Sequence, residues 1–568
     1  MSTESCVLNG PARERRALLL LLLLGLVVFG AGLGLRDPWP ADEPRFALVA
    51  RQMVDSGQWL FPMRGGELYP DKPPVFMWLI ALFLKLTGSL RVAFLLPSLL
   101  AGLGSLALVF DAARRMWDRA TAWRAGLLLL VTVQFTLQAR TAQIDGLVTF
   151  CITLGVYGFL RFLLGGGWRW YYLGWAAAGL GVITKGVGVL ALFTLVPALW
   201  THRSEIRSAS WRAWLKGLAG PLVMLGVIGL WLAPMLAAVA RSGDPAFSAY
   251  RDNILFHQTV TRYGKAWHHV GPWYEYFVQE IPLFWLPLSV FLPWLAPRWT
   301  RAAREGDRRV ILLLGYLLLV LVFFSASPGK RGVYITPATP ALAMLAAPFL
   351  PDLLARPWPR RIWKALAALL AFLALTAGAA LAFSPKLHAK LAKAEVDAPW
   401  PALLVLGALA LLALVRFRRT AFGALAAVFG LTWIVLGFGI QPALNASRTP
   451  EALMRRVEAQ VPAVSELMVV SYKEQFLLFA HRPLCHMPIR MPRADQARLA
   501  AFWQAEGPGR WVMGPDKALG TCFDTRNALD LGARHGARWL LVPPGASRPE
   551  GLRPDDPICT FTPKEARR

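Results

Sequence analysis

Apolar residues in this chain gather into long unbroken runs, with neither the two-residue nor the 3.6-residue alternation of a soluble fold. A helix that is hydrophobic all round belongs in lipid or deep in a large core. The runs lie near 17–35, 90–113, 123–139, 142–164, 170–184, 186–201, 217–240, 277–297, 310–325, 333–350, 363–383, 401–415 and 420–440. Each holds about 15–24 residues, enough to cross roughly 30 Å of hydrocarbon, the shorter ones with help from their flanks. The pattern predicts a mainly α, polytopic membrane protein with about thirteen spanning helices. The run 75–88, at about 14 residues, reads as a half-inserted or surface helix. Arg13, Arg15 and Arg16 precede the first run as they would in a signal peptide. That run is long for such a segment and lacks an obvious small-residue cleavage site, so it reads as a retained span.

Beyond 440 the pattern changes. Short apolar runs at Leu467–Ser471, Phe476–Ala480 and Trp539–Val542 alternate with Pro, Gly and charge. This predicts a membrane domain over 1–440, with a long loop at 36–74, and a small α/β domain over 441–568.

Charge then orients the spans. Lys and Arg total 61 against 34 Asp and Glu, a net +27. Such a balance can signal nucleic acid, but the cations cluster in alternate connections. Arg114, Arg115, Arg119 and Arg124 form one group; Arg203, Arg207, Arg212 and Lys216 another; Arg298, Arg301, Arg304, Arg308 and Arg309 a third. Arg356, Arg360, Arg361 and Lys364, then Arg416, Arg418 and Arg419, continue the series. The loop 36–74 is balanced, with five basic and six acidic residues. Positive-inside bias therefore puts the N-terminus in the cytoplasm and 36–74 outside. An odd number of spans puts 441–568 outside as well. The five cysteines show no CxxC pair and no zinc spacing. Among Cys485, Cys522 and Cys559, one disulfide or three thiols are equally compatible with the sequence.

The outer segments carry the candidate chemistry. Pro40-Ala-Asp-Glu-Pro-Arg-Phe-Ala47 puts Asp42 and Glu43 just past the first membrane exit. Carboxylates there need water, a partner or a metal. Leu68-Tyr-Pro-Asp-Lys-Pro-Pro-Val75 sets Tyr69, Asp71 and Lys72 before a stiff Pro-Pro. A transporter would keep such loops short and carry an internal repeat; no clear repeat is present.

Asp-Glu-x-Arg-aromatic-Ala, Ser56-Gly-Gln-Trp59 and Tyr-x-acid-Lys-Pro-Pro together closely resemble the first outer loop of the ArnT-like family. These are lipid A aminoarabinose transferases within the protein-mannosyltransferase-like group. The resemblance continues in order through Arg140…Asp145-Gly146, Thr184-Lys185-Gly186, Phe256-His257…Arg262-Tyr263 with Pro272-Trp273-Tyr274, and Lys330-Arg331…Tyr334…Pro337. It implies the GT-C fold, with thirteen spans and a C-terminal periplasmic domain, in a bacterial inner membrane. It implies a glycosyltransferase that moves a sugar, 4-amino-4-deoxy-L-arabinose or a related one, from undecaprenyl phosphate to lipid A or another envelope acceptor. Capture of the donor phosphate would fall to Lys72, Arg262 and Tyr334, as point charge, fork and hydroxyl. Asp42 and Asp145 would be the catalytic carboxylates. Glu43, Arg45, Tyr69, Arg140, Lys185, Lys330 and Arg331 would support them, with headgroup contact the expected role of Lys330 and Arg331. Alternative pairings are Glu43 with Arg45 and Asp145 with Arg140.

The resemblance also implies a divalent metal, Zn or Mg/Mn, on Asp71 and His257, structural or dispensable, so that no cofactor is required. His268 and His269 lie nearby in sequence. Three departures bear on the substrate and the metal: Pro44 where Gly is common, Phe46 where Tyr is usual, and Asp71 where Glu is usual. The expected partners are the polyprenyl-phosphate donor, the acceptor and the bilayer, with no nucleic acid and a monomeric chain. A protein O-mannosyltransferase-like enzyme, another envelope glycan transferase, and a lipid or solute transporter are the rival readings.

Overall fold

The computed structural model describes residues 11–256, 270–393, 396–471, 473–488, 491–520, 522–534, 537–551 and 558–561. His257, Arg262, His268 and His269 lie outside the described residues. The long apolar runs form helices. Seven described helical segments are long and apolar enough to cross a membrane: Leu90–Met116, Ile144–Leu163, Trp211–Ser242, Arg308–Ala326, Gly332–Ala355, Pro357–Phe383 and Ala421–Gln460. Two bent pairs raise the number to nine, Arg119–Val131 with Val133–Ala139 at 72° and Tyr276–Phe284 with Leu288–Arg304 at 115°. Val75–Thr87, Val187–Thr201 and Trp400–Arg416 are shorter apolar helices. The first helix, Pro11–Gly30, opens on Arg13, Glu14, Arg15 and Arg16 before turning apolar. By length and composition alone, seven to nine spans are thus found among the described residues.

The breaks are satisfied in pairs. The Val133 N–H, freed where its helix bends, donates to the Leu286 carbonyl in the other bend at 3.0 Å. Irregular backbone at membrane depth persists only where protein supplies such partners. Trp211–Ser242 shows the opposite environment: Leu222, Leu225 and Leu230 are exposed on it, as lipid-facing residues are.

A close approach fixes the end of the first helix. A Cβ on Gly437 would lie 2.2 Å from the Ala31 carbonyl oxygen and 2.6 Å from Arg140 Nη2. Arg140 threads this contact, donating to the Val28 carbonyl and, at 2.8 Å, to the Ala31 carbonyl. Gly437→Ala should therefore overpack backbone against backbone and destabilise by about 1–3 kcal/mol. The check is a lowered thermal midpoint of the detergent-purified full chain.

One end of the bundle collects arginines paired with scattered acids: Arg114 with Glu14 and Asp111, Arg298 with Asp352, and Arg308 with Glu205. The other end carries the loop 36–74, the breaks near 140 and 186, and the C-terminal region. That region is a six-stranded sheet with β3 (Glu466–Val469), β4 (Leu484–His486), β5 (Arg510–Pro515), β6 (Leu529–Arg534), β7 (Ala537–Val542) and β8 (Ile558–Phe561); β1 (Met63–Arg64) and β2 (Glu67–Leu68) are a hairpin in the loop. The sheet order is β6-β7-β5-β3-β4-β8, parallel at β3–β4 and β3–β5 and antiparallel elsewhere. Alternation divides its side chains. Met468, Val470, Val512 and Leu540 pack under Leu499 and Trp503. Leu467, Val469, Met513 and Leu541 join Phe476, Leu453 and Val457 in a core that continues into Phe46, Val49, Tyr69 and Phe76 of the first loop. Sheet and loop therefore share one apolar core. Cys485 and Cys559 form a disulfide between β4 and β8.

His486 sits fully buried in this sheet. Burial pushes its imidazole below the ordinary histidine value, against a weaker upward pull from the Met487 carbonyl and Glu67. The folded chain then binds fewer protons than the unfolded one as the pH falls below about 6.5. Stability should be full at pH 7.5 and lower at pH 5.5, and His486→Gln should flatten that difference in thermal melts.

Candidate active site

The helix Glu43–Ser56 starts at the membrane exit because Pro44, in its first turn, pre-sets φ where no amide donor is needed. Two adjacent carboxylates at its start have different fates. Glu43 is buried and fully bonded: Arg36 forks onto it at 2.5 and 2.8 Å, and the Trp39 and Ala142 amides donate at 2.9 and 3.0 Å. Asp42 occupies the N-cap position without capping the helix. Its two oxygens instead face Arg45 and Arg331, each at 3.4 Å. Those are loose contacts on a half-buried carboxylate, and they leave it room to accept another donor.

The second carboxylate, Asp145, stands in the first turn of Ile144–Leu163, where the helix dipole favours negative charge. Lys185 ends the helix Trp168–Lys185, and Gly186 at φ 88° turns the chain back on itself, a conformation a side chain would resist. That turn brings the Lys185 ammonium onto Asp145 and 4.9 Å from the Tyr334 ring centroid. Tyr334 lies in the 3₁₀ turn Gly332–Ala338, its ring stacked on Phe324 at 5.6 Å. The Tyr334 amide donates to the Arg331 carbonyl at 2.9 Å, so one short segment joins the Asp42 and Asp145 groups. Glu280 adjoins this segment, with one carboxylate oxygen buried and no hydrogen bond to a described residue. A Cβ at 332 would lie 2.1 Å from that oxygen, so a side chain there would require Glu280 to shift.

Beneath the loop, Tyr69 is buried against Arg64, whose guanidinium lies 5.3 Å from the ring centroid. Burial pushes the phenol well above its usual value, although Arg45 and Arg64 pull it down. Tyr69 therefore stays a neutral hydroxyl. Glu474, from the C-terminal sheet region, accepts from Arg45 at 2.8 Å and lies 3.5 Å from Arg64. Asp71 and Lys72 are half-buried just before the helix Val75–Thr87. No group of three or more metal-binding side chains occurs among the described residues.

A loosely held carboxylate, a second one paired with a lysine, a buried phenol and several cations thus gather at the loop end of an apolar bundle. The profile of the dolichyl-phosphate-mannose-protein mannosyltransferase family matches residues 71–231. An undecaprenyl phosphate-alpha-4-amino-4-deoxy-L-arabinose arabinosyl transferase of Pseudomonas aeruginosa is 31% identical over 346 residues, 59% of each chain. The match thus spans less than two thirds of that relative's length. The crystal structure of ArnT from Cupriavidus metallidurans bound to undecaprenyl phosphate superposes with a TM-score of 0.73 at 21% identity, covering 94% of this chain and 99% of that one. The chain has the fold of that structure, a GT-C membrane fold. An oligosaccharyltransferase from Archaeoglobus fulgidus shares the fold more distantly, with a TM-score of 0.51 at 11% identity over 89% of this chain and 70% of that one.

In this chain the pairings differ from those read in the sequence. Glu43 pairs with Arg36, and Arg45 pairs with Asp42 and Glu474. Arg140 does not reach Asp145; it turns inward to the Val28 and Ala31 carbonyls, and Lys185 takes its place. Lys330 makes no surface contact with headgroups. It is 3% exposed and folds back on the helix Arg308–Ala326, donating to the carbonyls of Phe324 at 3.2 Å, Ser325 at 3.0 Å and Ser327. A lysine there caps the helix C-terminus. Arg331 and Asp42 do meet, as do Lys185 and Tyr334. Arg36, Arg64, Glu280 and Glu474 were not singled out from the sequence. Arg36 had one legible signal, a cation directly after the first span with an acid seven residues on; Glu474 had none.

Proposed function

We propose that this chain is a membrane glycosyltransferase that moves 4-amino-4-deoxy-L-arabinose from undecaprenyl phosphate to lipid A. The reading follows from the names of its relatives, and one structural observation carries it: Asp42, loosely held by Arg45 and Arg331, is joined through Tyr334 to the Asp145–Lys185 pair. The loop end of the bundle is the periplasmic one in this reading, with the N-terminus cytoplasmic and the chain acting as a monomer.

The donor phosphate is held by Lys72, Tyr334 and, outside the described residues, Arg262. Arrival of the donor's phosphodiester anion offers Lys185 a second anion beside Asp145, and its charge grows as undecaprenyl phosphate leaves. Transfer breaks the bond from sugar C1 to the phosphate oxygen and forms one from C1 to an acceptor oxygen. The electron pair leaves with undecaprenyl phosphate, and cations at that oxygen stabilise it. With a hydroxyl acceptor, Asp42 takes the proton; with a phosphate acceptor no base is needed, and Asp42 and Asp145 flank the positive charge developing at C1. Asp71 and His257 would be the two protein ligands of a divalent metal, structural or dispensable. Adding an amino sugar to lipid A phosphates lowers surface negative charge and with it the attraction of cationic peptides.

The test is expression in a Gram-negative strain lacking its own transferase, followed by mass spectrometry of lipid A. A mass increase of one aminopentose residue supports the reading. Sugar on protein with lipid A unchanged points to the mannosyltransferase-like alternative and overturns it.

A further inference from the structure

We propose that Glu474, on the C-terminal domain, is a positioning residue for the membrane-domain site, acting through Arg45 to keep Asp42 available. The proposal rests on the transferase reading above and adds a working part to it from a distant stretch of the chain.

Arg45 is shared between two carboxylates. Its Nε donates to Glu474 Oε1 at 2.8 Å, while its Nη1 lies 3.4 Å from Asp42 Oδ1. The first contact is a full charge-assisted hydrogen bond and the second is a loose one. Glu474 also lies 3.5 Å from Arg64, so it neutralises two guanidinium groups that both flank Tyr69. Its own side chain is 13% exposed, and its helix, Glu474–Leu478, is anchored. Phe476 enters the core shared with Phe46 and Phe76, and Arg51 donates to the Leu478 carbonyl at 3.3 Å. Glu474 is thus a fixed anion placed to hold Arg45 off Asp42.

Coulomb attraction in a partly dry site rises steeply as charges close to contact. With Glu474 neutral, Asp42 is the carboxylate left facing Arg45, and the guanidinium closes on it. Asp42 then spends its lone pairs on Arg45, and the acceptor meets an occupied carboxylate. The C-terminal domain in this view completes the site by tuning one arginine.

The experiment compares wild type, Glu474→Gln, Glu474→Asp, Arg45→Ala and the Glu474→Gln/Arg45→Ala double variant, as full chains in membranes with undecaprenyl-phosphate aminoarabinose and lipid A. Glu474→Gln should lower kcat by about tenfold, within the range of coupling between contacting charged residues, and change the donor KM less than about twofold. Glu474→Asp should recover most of the loss, and the double variant should be no slower than Arg45→Ala. Three results overturn the proposal: full activity in Glu474→Gln, a loss confined to KM, or losses that add in the double variant. A wild type that transfers no sugar overturns the functional reading itself, and is separately visible in the same assay. Thermal midpoints of all five proteins distinguish loss of fold, which the aspartate variant would not rescue, from loss of positioning.

Discussion

Asp42→Asn is expected to slow sugar transfer by roughly 10²–10⁴-fold if the acceptor is a hydroxyl, the usual contribution of a positioned general base. The substitution keeps the shape of the side chain, and Asp42 does not cap its helix. Its two contacts, at 3.4 Å to Arg45 and Arg331, are too long to carry much of the fold. The thermal midpoint should therefore stay close to wild type while kcat falls. The size of the fall also reports the acceptor: a phosphate oxygen needs no proton removed, so a loss below about tenfold would assign Asp42 to charge stabilisation alone. Steady-state kinetics with purified enzyme and defined lipid A acceptors would separate the two.

Lys185→Ala should have the largest effect on stability. Lys185 and Asp145 pair with side chains only 13% and 8% exposed. Removing one partner leaves an uncompensated charge in a poorly hydrated place, a change worth about 3–5 kcal/mol. The expected result is a markedly lower thermal midpoint of the detergent-purified chain, together with loss of transfer. Adding Asp145→Asn to Lys185→Ala should restore part of the stability, because the stranded charge is gone, without restoring activity. A single variant as stable as wild type would show that water reaches the pair and that the site is wetter than its burial suggests.

The parts of this protein legible in the sequence were those set by local pattern. Unbroken apolar runs marked the helices, and the change after Gln441 marked the sheet region. Strings such as Asp42-Glu-Pro-Arg45 and Thr184-Lys-Gly186 marked the residues that gather at one end. What remained hidden was the choice of partners. Asp145 lies five positions from Arg140, so proximity favoured that pair, but the chain breaks at Thr141–Gln143 and sends Arg140 back toward the first helix. Its actual partner is forty residues on, and only the left-handed Gly186 brings it round. Lys330 read as a surface cation because its neighbours are Gly and Arg; nothing local shows that three carbonyls at a helix end surround its ammonium. Glu474 is a further case, an acid in a polar stretch that meets Arg45, 429 positions away in the chain, only in the fold.

The apolar core that runs from β3 and β5 into Phe46, Val49 and Phe76 ties evolutionary exchange to architecture. Asn445 reinforces the seam, bonding Asp37 and the Trp39 indole at 2.7 and 2.9 Å. Chimeras that swap only the tail between relatives join two half-cores that never co-adapted, and should be trapped by quality control before any sugar is met. Grafts that carry residues 36–74 along with the tail preserve the mated surfaces, and are the ones expected to fold.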